Sequence, residues 1–266
     1  MKIKEFAQIF ETDFPLSYAF DGDNAGLLVG DEKTEISKIL ACCDVDYSVV
    51  EEAVSKGCNL ILSHHPVMFR SVNRMTENEP EQRAIRLAIK EDIAIYSAHT
   101  NLDSGRGGLN DYMASLLGMK DTEIIDVCGR DDRGEYGFGR VCELSKPVSL
   151  GDIMHQIIHT FDADGLRYAG DKDRMIKRIA VNSGGGADVI PLCIERNCDL
   201  LITGDIKYNG YRDAVEKCMC IVDIMHYDSE HIVMDWFAEY IAEKGIDITV
   251  YKSEKNINLI KSYKYE

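Results

Sequence analysis

Apolar and polar positions along the chain follow a β-α-β pattern. An apolar run from Ile39 to Cys43 is followed by an amphipathic segment from about Tyr47 to Lys56, and then by a second apolar run from Leu60 to Leu62. Gly57 closes the amphipathic segment, at the position where glycine commonly ends a helix. A helix that connects two buried strands favours a parallel pair, so the pattern predicts two parallel strands.

The same pattern recurs later in the chain. Cys198–Thr203 aligns with Cys58–Ser63 at an offset of 140 (198 − 58), and Ile176–Ile179 aligns with Ile36–Ile39 at the same offset (176 − 36). A helix from about Ala187 to Arg196 corresponds to the first amphipathic segment. An unbroken register over this length indicates an internal duplication.

Each copy continues into a third strand that ends at a histidine. The predicted third strands are Ile93–Ala98 and Cys220–Met225. Their histidines, His99 and His226, are 127 positions apart (226 − 99), so the second copy has lost 13 residues before this point (140 − 127). A carboxylate follows four positions after each histidine, Asp103 in the first copy and Glu230 in the second.

This arrangement predicts an α/β protein with two related three-layer α/β/α halves. We expect the first half to cover 1–127, an accessory α/β segment to cover 128–170, and the second half to cover 171–266. The accessory segment contains a predicted strand near 137–141 and a predicted helix near 152–160. Ligands of such sheets bind beyond the carboxyl ends of the strands, so polar residues that follow strands are candidates for function.

Composition narrows the classes of function. The chain has 266 residues and a formal net charge of −16, which opposes binding to a nucleic-acid backbone or an anionic membrane. No apolar run has the length of a transmembrane helix, and the N-terminus lacks the apolar core of a signal peptide. The nine cysteines show no C-x-x-C spacing, so we expect reduced, mostly buried thiols in a cytoplasmic protein.

Histidines and carboxylates concentrate at the ends of the predicted strands. Four of the seven histidines lie there: His64, His65, His99 and His226. Imidazole together with carboxylate suits Zn, Fe, Mn, Co or Ni, and carboxylates can bridge two such ions. A single histidine at a strand end is more often a hydrogen-bonded surface residue. Adjacent histidines are stronger evidence for metal ligands. The second copy supports this interpretation, because Asp205 occupies the position that corresponds to His65, 140 positions later (205 − 65).

The roles of the remaining polar residues are left open by the pattern. His99 is a candidate metal ligand, ligand-orienting residue or general acid–base. His226 and Glu230 share one face if a helix begins there, and a second interpretation is an ordinary capped helix start, which favours acidic residues; the two interpretations can both hold. The segment 182–188 contains three consecutive glycines, and we expect a tight structural turn there rather than a phosphate-binding loop, because it matches neither nucleotide-binding motif.

Asp205 and Lys207 follow the second strand of the second copy. We expect Asp205 to orient a metal ligand or to accept a proton from water, rather than to bind metal directly. Gly204 permits the chain to turn, which would bring Lys207 into the site. The alternative is a surface ion pair between Asp205 and Lys207, which would contribute little to stability or to function.

Several segments together resemble one known family, the GTP cyclohydrolase 1 type 2 homologues, or NIF-three-like dinuclear metal proteins. The matching segments are Asp23–Gly30, Leu60–Pro66, His99–Asp103, Gly137–Arg140, Thr203–Tyr208 and His226–Glu230. The resemblance covers nearly the whole chain. It implies a two-domain α/β fold with two divalent metal ions between the halves, and a toroidal homohexamer. The metal ligands it implies are His64, His65, Asp103, His226 and Glu230.

Two positions depart from the family pattern. Gly22 stands where the family usually has tryptophan, and Asn209 stands where it often has histidine. The first departure is expected to change packing only, whereas the second puts proton transfer and the identity of the substrate in question.

The leading hypothesis is a metal-dependent hydrolase, acting through metal-activated water on a nucleotide-like or other small phosphorylated or cyclic-amide substrate. His99, Asp205 and Lys207 are its candidate catalytic residues. The alternative is a non-enzymatic metal-binding regulator, scaffold or metal chaperone. Nucleic-acid binding inside a ring channel would need a basic lining, which the net charge opposes.

Overall fold

The computed structural model of the chain describes residues 1–261 and divides them into two compact units. The first unit contains Met1–Leu102 and Val233–Ile257, and the second contains Asp103–Ile232 with the described residues from Asn258 onward. Among the described residues, every helix is too short or too polar to cross a membrane. No disulfide joins any cysteine in this range, and seven of the nine cysteines are buried, in agreement with the expectation of mostly buried thiols.

Five strands form the sheet of the first unit. They are β1 (Gly26–Val29), β2 (Lys38–Cys42), β3 (Leu60–Ser63), β4 (Ala94–Ser97) and β11 (Thr249–Lys252). Their order is β1-β4-β3-β2-β11. β4, β3, β2 and β11 are parallel, and β1 is antiparallel to β4.

Four helices accompany this sheet, and a short fifth leads out of the unit. The four are α1 (Ile3–Asp13), α2 (Tyr47–Lys56), α3 (Pro80–Lys90) and α10 (Val233–Glu243). The fifth is α4 (Thr100–Ser104), along which the chain passes into the second unit. α2 has the predicted bounds because Asp46 caps its first turn through Val49 N at 2.8 Å and Gly57 ends it with a φ of 67°. Aromatic rings pack α1 against α10, with Phe10, Phe14, Trp236 and Tyr240 at centroid separations of 5.0–6.2 Å.

Six strands form the sheet of the second unit. They are β5 (Glu123–Asp131), β6 (Gly134–Ser149), β7 (Arg167–Ala169), β8 (Met175–Gly185), β9 (Leu200–Gly204) and β10 (Cys220–Asp223). Their order is β5-β6-β8-β9-β10-β7, in which the neighbours β8–β9 and β9–β10 pair in parallel and the other neighbours pair antiparallel. The helices of this unit are α5 (Leu109–Leu116), α6 (Leu150–Thr160), α7 (Ile190–Glu195), α8 (Tyr208–Glu216) and α9 (His226–Glu230).

The internal duplication is confirmed by strand order and register. β2-β3-β4 and β8-β9-β10 are the same parallel arrangement, and Ile39 pairs with Leu60 just as Ile179 pairs with Leu200, 140 positions later (179 − 39). The duplication also includes an antiparallel edge strand that sequence periodicity did not reveal. β1 pairs with β4 as β7 pairs with β10.

The register corrects the predicted deletion by one residue. Ser97 and Asp223 end the third strands at an offset of 126 (223 − 97), whereas the histidines that follow are offset by 127. The second copy has therefore lost 14 residues before β10 (140 − 126) and gained one after it. The added residue is Met225, which has a φ of 69°, a left-handed conformation that is unusual for methionine.

The two compact units do not follow the expected boundaries at 1–127, 128–170 and 171–266. β6 pairs with β8 through Arg140 and Val181, so the segment expected to be accessory is part of the second sheet. β11 pairs with β2 through Val250 and Ile39, so the chain after Val233 returns to the first unit. Backbone hydrogen bonds between segments that are distant in sequence thus place β6 in the second sheet and β11 in the first.

Candidate metal centre

Three imidazole rings cluster at the carboxyl ends of β3 and β4 in the first unit. The ring centroids of His64, His65 and His99 lie 5.1–5.4 Å from one another. The backbone N–H groups of His64 and His65 donate to the carbonyls of Cys42 and Cys43, so the β2–β3 ladder extends under both histidines and fixes where their side chains begin. His64 is fully buried.

Each of these rings is oriented by an oxygen at its Nδ1 atom. The contacts are His64 with the Ala98 carbonyl at 2.8 Å, His65 with Asp44 Oδ1 at 2.7 Å, and His99 with Asp23 Oδ1 at 2.7 Å. An Nδ1 that donates to oxygen leaves Nε2 as the basic nitrogen of a neutral imidazole. This is the arrangement in which histidines bind metal through Nε2.

Asp23 is a residue whose role the sequence did not predict, although it begins one of the family-like segments. Its carboxylate accepts hydrogen bonds from His99 Nδ1 and from the Thr100 hydroxyl. Burial raises the pKa of Asp23, but the hydrogen bonds from His99 and Thr100 outweigh it and lower the pKa to about 2. Asp23 is therefore ionised at neutral pH and holds the His99 ring in place.

His226 and Glu230 meet across the one-turn helix α9 of the second unit. His226 Nε2 lies 3.0 Å from Glu230 Oε2, so the two side chains do share a face. His226 Nδ1 lies 2.8 Å from Asp205 Oδ2. The residue before α9, Met225, makes no side-chain capping bond, and the acidic Asp228 lies in the first turn of the helix. Asp205 makes the contact that an orienting residue requires, and its functional role stays a prediction.

Lys207 lies apart from this contact. β9 ends at Gly204 and Asp205 has a φ of 57°, so the predicted turn is present. Lys207 is an exposed residue at the start of α8, and the described part of the chain offers its side chain no ion pair or hydrogen bond. The alternative of an Asp205–Lys207 ion pair is not what forms, because Asp205 contacts His226. A catalytic role for Lys207 stays a prediction.

Asp103 is buried beside the glycine-rich end of β8. Its Oδ1 accepts from the Ser183 hydroxyl at 3.1 Å, and its carbonyl accepts from Asn110 Nδ2 at 3.1 Å. The backbone N–H of Ser183 donates to Asn110, and that of Gly184 donates to Ser229. These two amides serve internal hydrogen bonds and are not presented to a phosphate. The expected tight turn is confined to the end of the segment, because β8 continues to Gly185 and the chain turns at the 3₁₀ helix Ala187–Val189.

Asp223 anchors both loops that carry Asp205 and His226, and sequence analysis missed it. It is fully buried, and its carboxylate accepts hydrogen bonds from four donors. The donors are Tyr211 Oη at 2.9 Å, Ile206 N at 3.1 Å, Met225 N at 2.9 Å and Arg167 Nη2 at 2.5 Å. A carboxylate inside the apolar strand Cys220–Met225 was the available signal, because a buried charge needs such partners.

Each unit contains donor atoms that fit divalent ions of borderline hardness. The first unit supplies clustered imidazoles, and the second supplies an imidazole with two buried carboxylates, Asp103 and Glu230. Zn, Fe, Mn, Co and Ni favour such nitrogen and oxygen ligands. Around His65, the ligand atoms of Cys43, Asp44 and His65 also lie within 4.8 Å of one another.

Gly184 provides a test of the space beside Glu230. It has a φ of 60°, and a Cβ there would overlap Glu230 Oε1 and approach His226 Cε1 to 3.3 Å. Gly184→Ala should cost about 1–2 kcal/mol for the left-handed backbone and push the Glu230 carboxylate aside. We therefore expect weaker metal binding, measured by competition with a chromogenic chelator.

Gly118→Ala is the matched control for Gly184→Ala. Gly118 has a φ of 73° in the same unit, but a Cβ there meets no atom within 4 Å. It should lose a similar free energy of unfolding and keep its metal affinity. Equal metal affinity in the two variants would contradict a role for Glu230 as a ligand.

Comparison with known proteins adds evidence of ancestry. The family model described as Duf34/NIF3 (NGG1p interacting factor 3) matches residues 1–258. A Clostridium perfringens protein named GTP cyclohydrolase 1 type 2 homolog is 38% identical over 259 residues, covering 96% of this chain and 98% of its own. A crystal structure of a Staphylococcus aureus hypothetical protein is 28% identical, with a TM-score of 0.90 and 99% coverage of both chains. A Bacillus cereus protein related to NIF3 has the same fold, with a TM-score of 0.90, 21% identity and 99% coverage of both chains.

Proposed function

The chain belongs to the Duf34/NIF3 family, and we propose that it is a cytoplasmic dinuclear metal-dependent hydrolase. Its substrate is a nucleotide-like or other small phosphorylated or cyclic-amide compound, in keeping with relatives named GTP cyclohydrolase 1 type 2 homolog. The observation that carries the proposal is the cluster of three imidazoles whose Nδ1 atoms are all held by oxygens. A cluster so oriented favours metal binding over general packing.

The proposed metal ligands come from both copies of the duplication. They are His64, His65, Asp103, His226 and Glu230. Two divalent ions held by these residues would supply an activated water at neutral pH. Asp205 orients the His226 ring through its Nδ1 atom. His99, backed by ionised Asp23, exchanges a proton with the reacting group, and Lys207 holds the leaving group.

Turnover by the purified protein is the test of hydrolase function. We expect hydrolysis of at least one member of a panel of nucleotides, phosphate esters and cyclic amides, loss of this activity on chelation, and recovery when metal is returned. Asp205→Asn and Lys207→Met should lower turnover more than they lower metal content. If both variants keep two metals and wild-type turnover, their catalytic role is wrong. Metal binding without turnover would favour the regulator, scaffold or metal-chaperone hypothesis.

The proposed assembly is a toroidal homohexamer, which rests on the family alone. Light scattering at micromolar concentration should give six times the chain mass. A stable monomer would contradict this assembly without bearing on the metal ligands. A small-molecule substrate fits the charge of −16 better than a nucleic acid does.

A further inference from the structure

The side chain of Asn256 joins the C-terminal segment of the first unit to the loop after β2. Its Oδ1 accepts two backbone hydrogen bonds, from Cys43 N at 2.5 Å and from Asp44 N at 3.0 Å. Asn256 is itself buried. One amide oxygen therefore holds two consecutive peptide groups at the point where the chain leaves the sheet.

The segment that carries Asn256 is fixed by a buried carboxylate. Glu52, on α2, accepts from the Ser253 hydroxyl at 2.6 Å and from the Glu254 N–H at 3.0 Å. The Ser253 hydroxyl in turn accepts from Asn256 N at 3.1 Å. Burial raises the pKa of Glu52, but the hydrogen bonds from Ser253 and Glu254 lower it below its usual value, so this anchor is anionic.

The loop held by Asn256 carries the carboxylate that orients His65. Asp44 Oδ1 lies 2.7 Å from His65 Nδ1. The Asp44 side chain is half exposed, at 53%, so packing alone does not determine its position. Its geometry depends on the backbone at Cys43 and Asp44, and that backbone is what Asn256 holds.

We infer that Asn256 is a positioning residue of the metal centre, which acts through Asp44 to hold His65 with Nε2 directed to a divalent cation. The inference rests on the proposed function, because it takes His65 as a metal ligand. The hydrogen-bonded path runs from Glu52 through Ser253, Asn256 and Asp44 to His65. The C-terminal segment Ser253–Asn256 is thereby a part of the metal centre.

Loss of such a partner should be measurable as metal affinity. Removing a group that orients a metal-bound histidine typically costs 10–100-fold in affinity. Since Asn256 acts through Asp44, we expect Asn256→Ala to weaken Co²⁺ binding roughly 10-fold at one of two sites and to change the visible spectrum of bound Co²⁺. Asn256→Asp keeps an acceptor oxygen and should restore most of this affinity.

Asn59→Ala is the matched control in the same sheet. Asn59 Oδ1 accepts from Ser37 N and its Nδ2 donates to the Glu35 carbonyl, both at 2.8 Å, at the opposite ends of β2 and β3 from the histidines. This variant should lose comparable stability in urea denaturation and keep wild-type Co²⁺ affinity and spectrum. If Asn256 contributed to stability alone, Asn256→Ala and Asn59→Ala would have the same Co²⁺ affinity and spectrum.

The experiment titrates the whole protein with Co²⁺ against a competing chelator. The variants compared are Asn256→Ala, Asn256→Asp, Asn59→Ala, Asp44→Ala, His65→Ala, and the double variant Asp44→Ala with Asn256→Ala. If Asn256 acts only through Asp44, the double variant should bind Co²⁺ no more weakly than Asp44→Ala alone does. If His65→Ala loses affinity while Asn256→Ala keeps it, the inference is overturned and the proposed function stands. Additive losses in the double variant also overturn it. If His65→Ala keeps wild-type affinity, both the inference and the ligand assignment fail.

Discussion

Replacing His64 and Glu230 together by alanine is expected to remove nearly all bound metal from the purified protein. His64 is a fully buried member of the imidazole cluster, and Glu230 is a buried carboxylate next to His226. Each copy of the duplication then loses a proposed ligand. Only three of the five proposed ligands then remain for two ions, whereas a single catalytic zinc ion alone typically uses about three protein ligands.

Elemental analysis of the purified variant measures this loss directly. His155→Ala combined with Glu243→Ala is the matched control, because both side chains are exposed on helices, α6 and α10, and neither belongs to the proposed ligand set. The control should keep the metal content of the wild type. Full retention of metal by the His64→Ala, Glu230→Ala variant would refute the ligand assignment.

The local part of the fold was predictable because it depends on short-range patterns. The strand–helix–strand unit from Lys38 to Ser63 follows from apolar periodicity, a capping Asp46 and a terminating Gly57. The second copy is less regular: the expected helix from 187 to 196 is a short 3₁₀ turn at Ala187–Val189 followed by α7. Pro191 in the first turn of α7 marks that start.

The parts that sequence analysis missed depend on contacts between distant residues. Asp44 and Asn256 are 212 positions apart, and Asp23 and His99 are 76 apart. Periodicity records which face of an element is buried, but not which distant segment pairs with it. For the same reason β11 was not expected beside β2.

Three of the histidines are oriented in the same way, by a carboxylate. His65, His99 and His226 each contact a carboxylate through Nδ1, from Asp44, Asp23 and Asp205. The histidines that suit a metal ligand were visible in the sequence, and so was Asp205 as an orienting residue, whereas Asp44 and Asp23 were not. Orientation requires a second residue at hydrogen-bond distance, and only the folded chain defines that distance.

Arg140 provides the prediction with the largest expected effect on stability. Its side chain is fully buried, and its guanidinium makes five hydrogen bonds. They are Nε and Nη2 to the Asp111 carboxylate at 2.7 and 3.0 Å, Nη1 to the Gly137 and Gly139 carbonyls at 2.9 Å, and Nη2 to the Gly105 carbonyl at 3.1 Å. The family-like segment Gly137–Arg140 therefore has a structural role, holding the turn that follows Asp103.

Arg140→Ala should lower the free energy of unfolding by about 3–5 kcal/mol, the cost of breaking a buried ion pair. Asp111 and the carbonyls of Gly105, Gly137 and Gly139 would lose their hydrogen bonds from Arg140 at once. Arg140→Lys should restore only part of this stability, because an ammonium has three donors and lacks the planar fork that matches a carboxylate. Urea denaturation followed by circular dichroism measures both changes.

Arg130→Ala separates this effect from the loss of any arginine in the same hairpin. Arg130 Nη2 lies 2.6 Å from Glu135 Oε1, but its side chain is 72% exposed, so the pair is solvated. Removing Arg130 should change the free energy of unfolding very little, because a solvated surface ion pair contributes little to stability. A loss of similar size in Arg130→Ala and Arg140→Ala would show that burial of the Arg140 network adds nothing, and would contradict the structural role assigned to it.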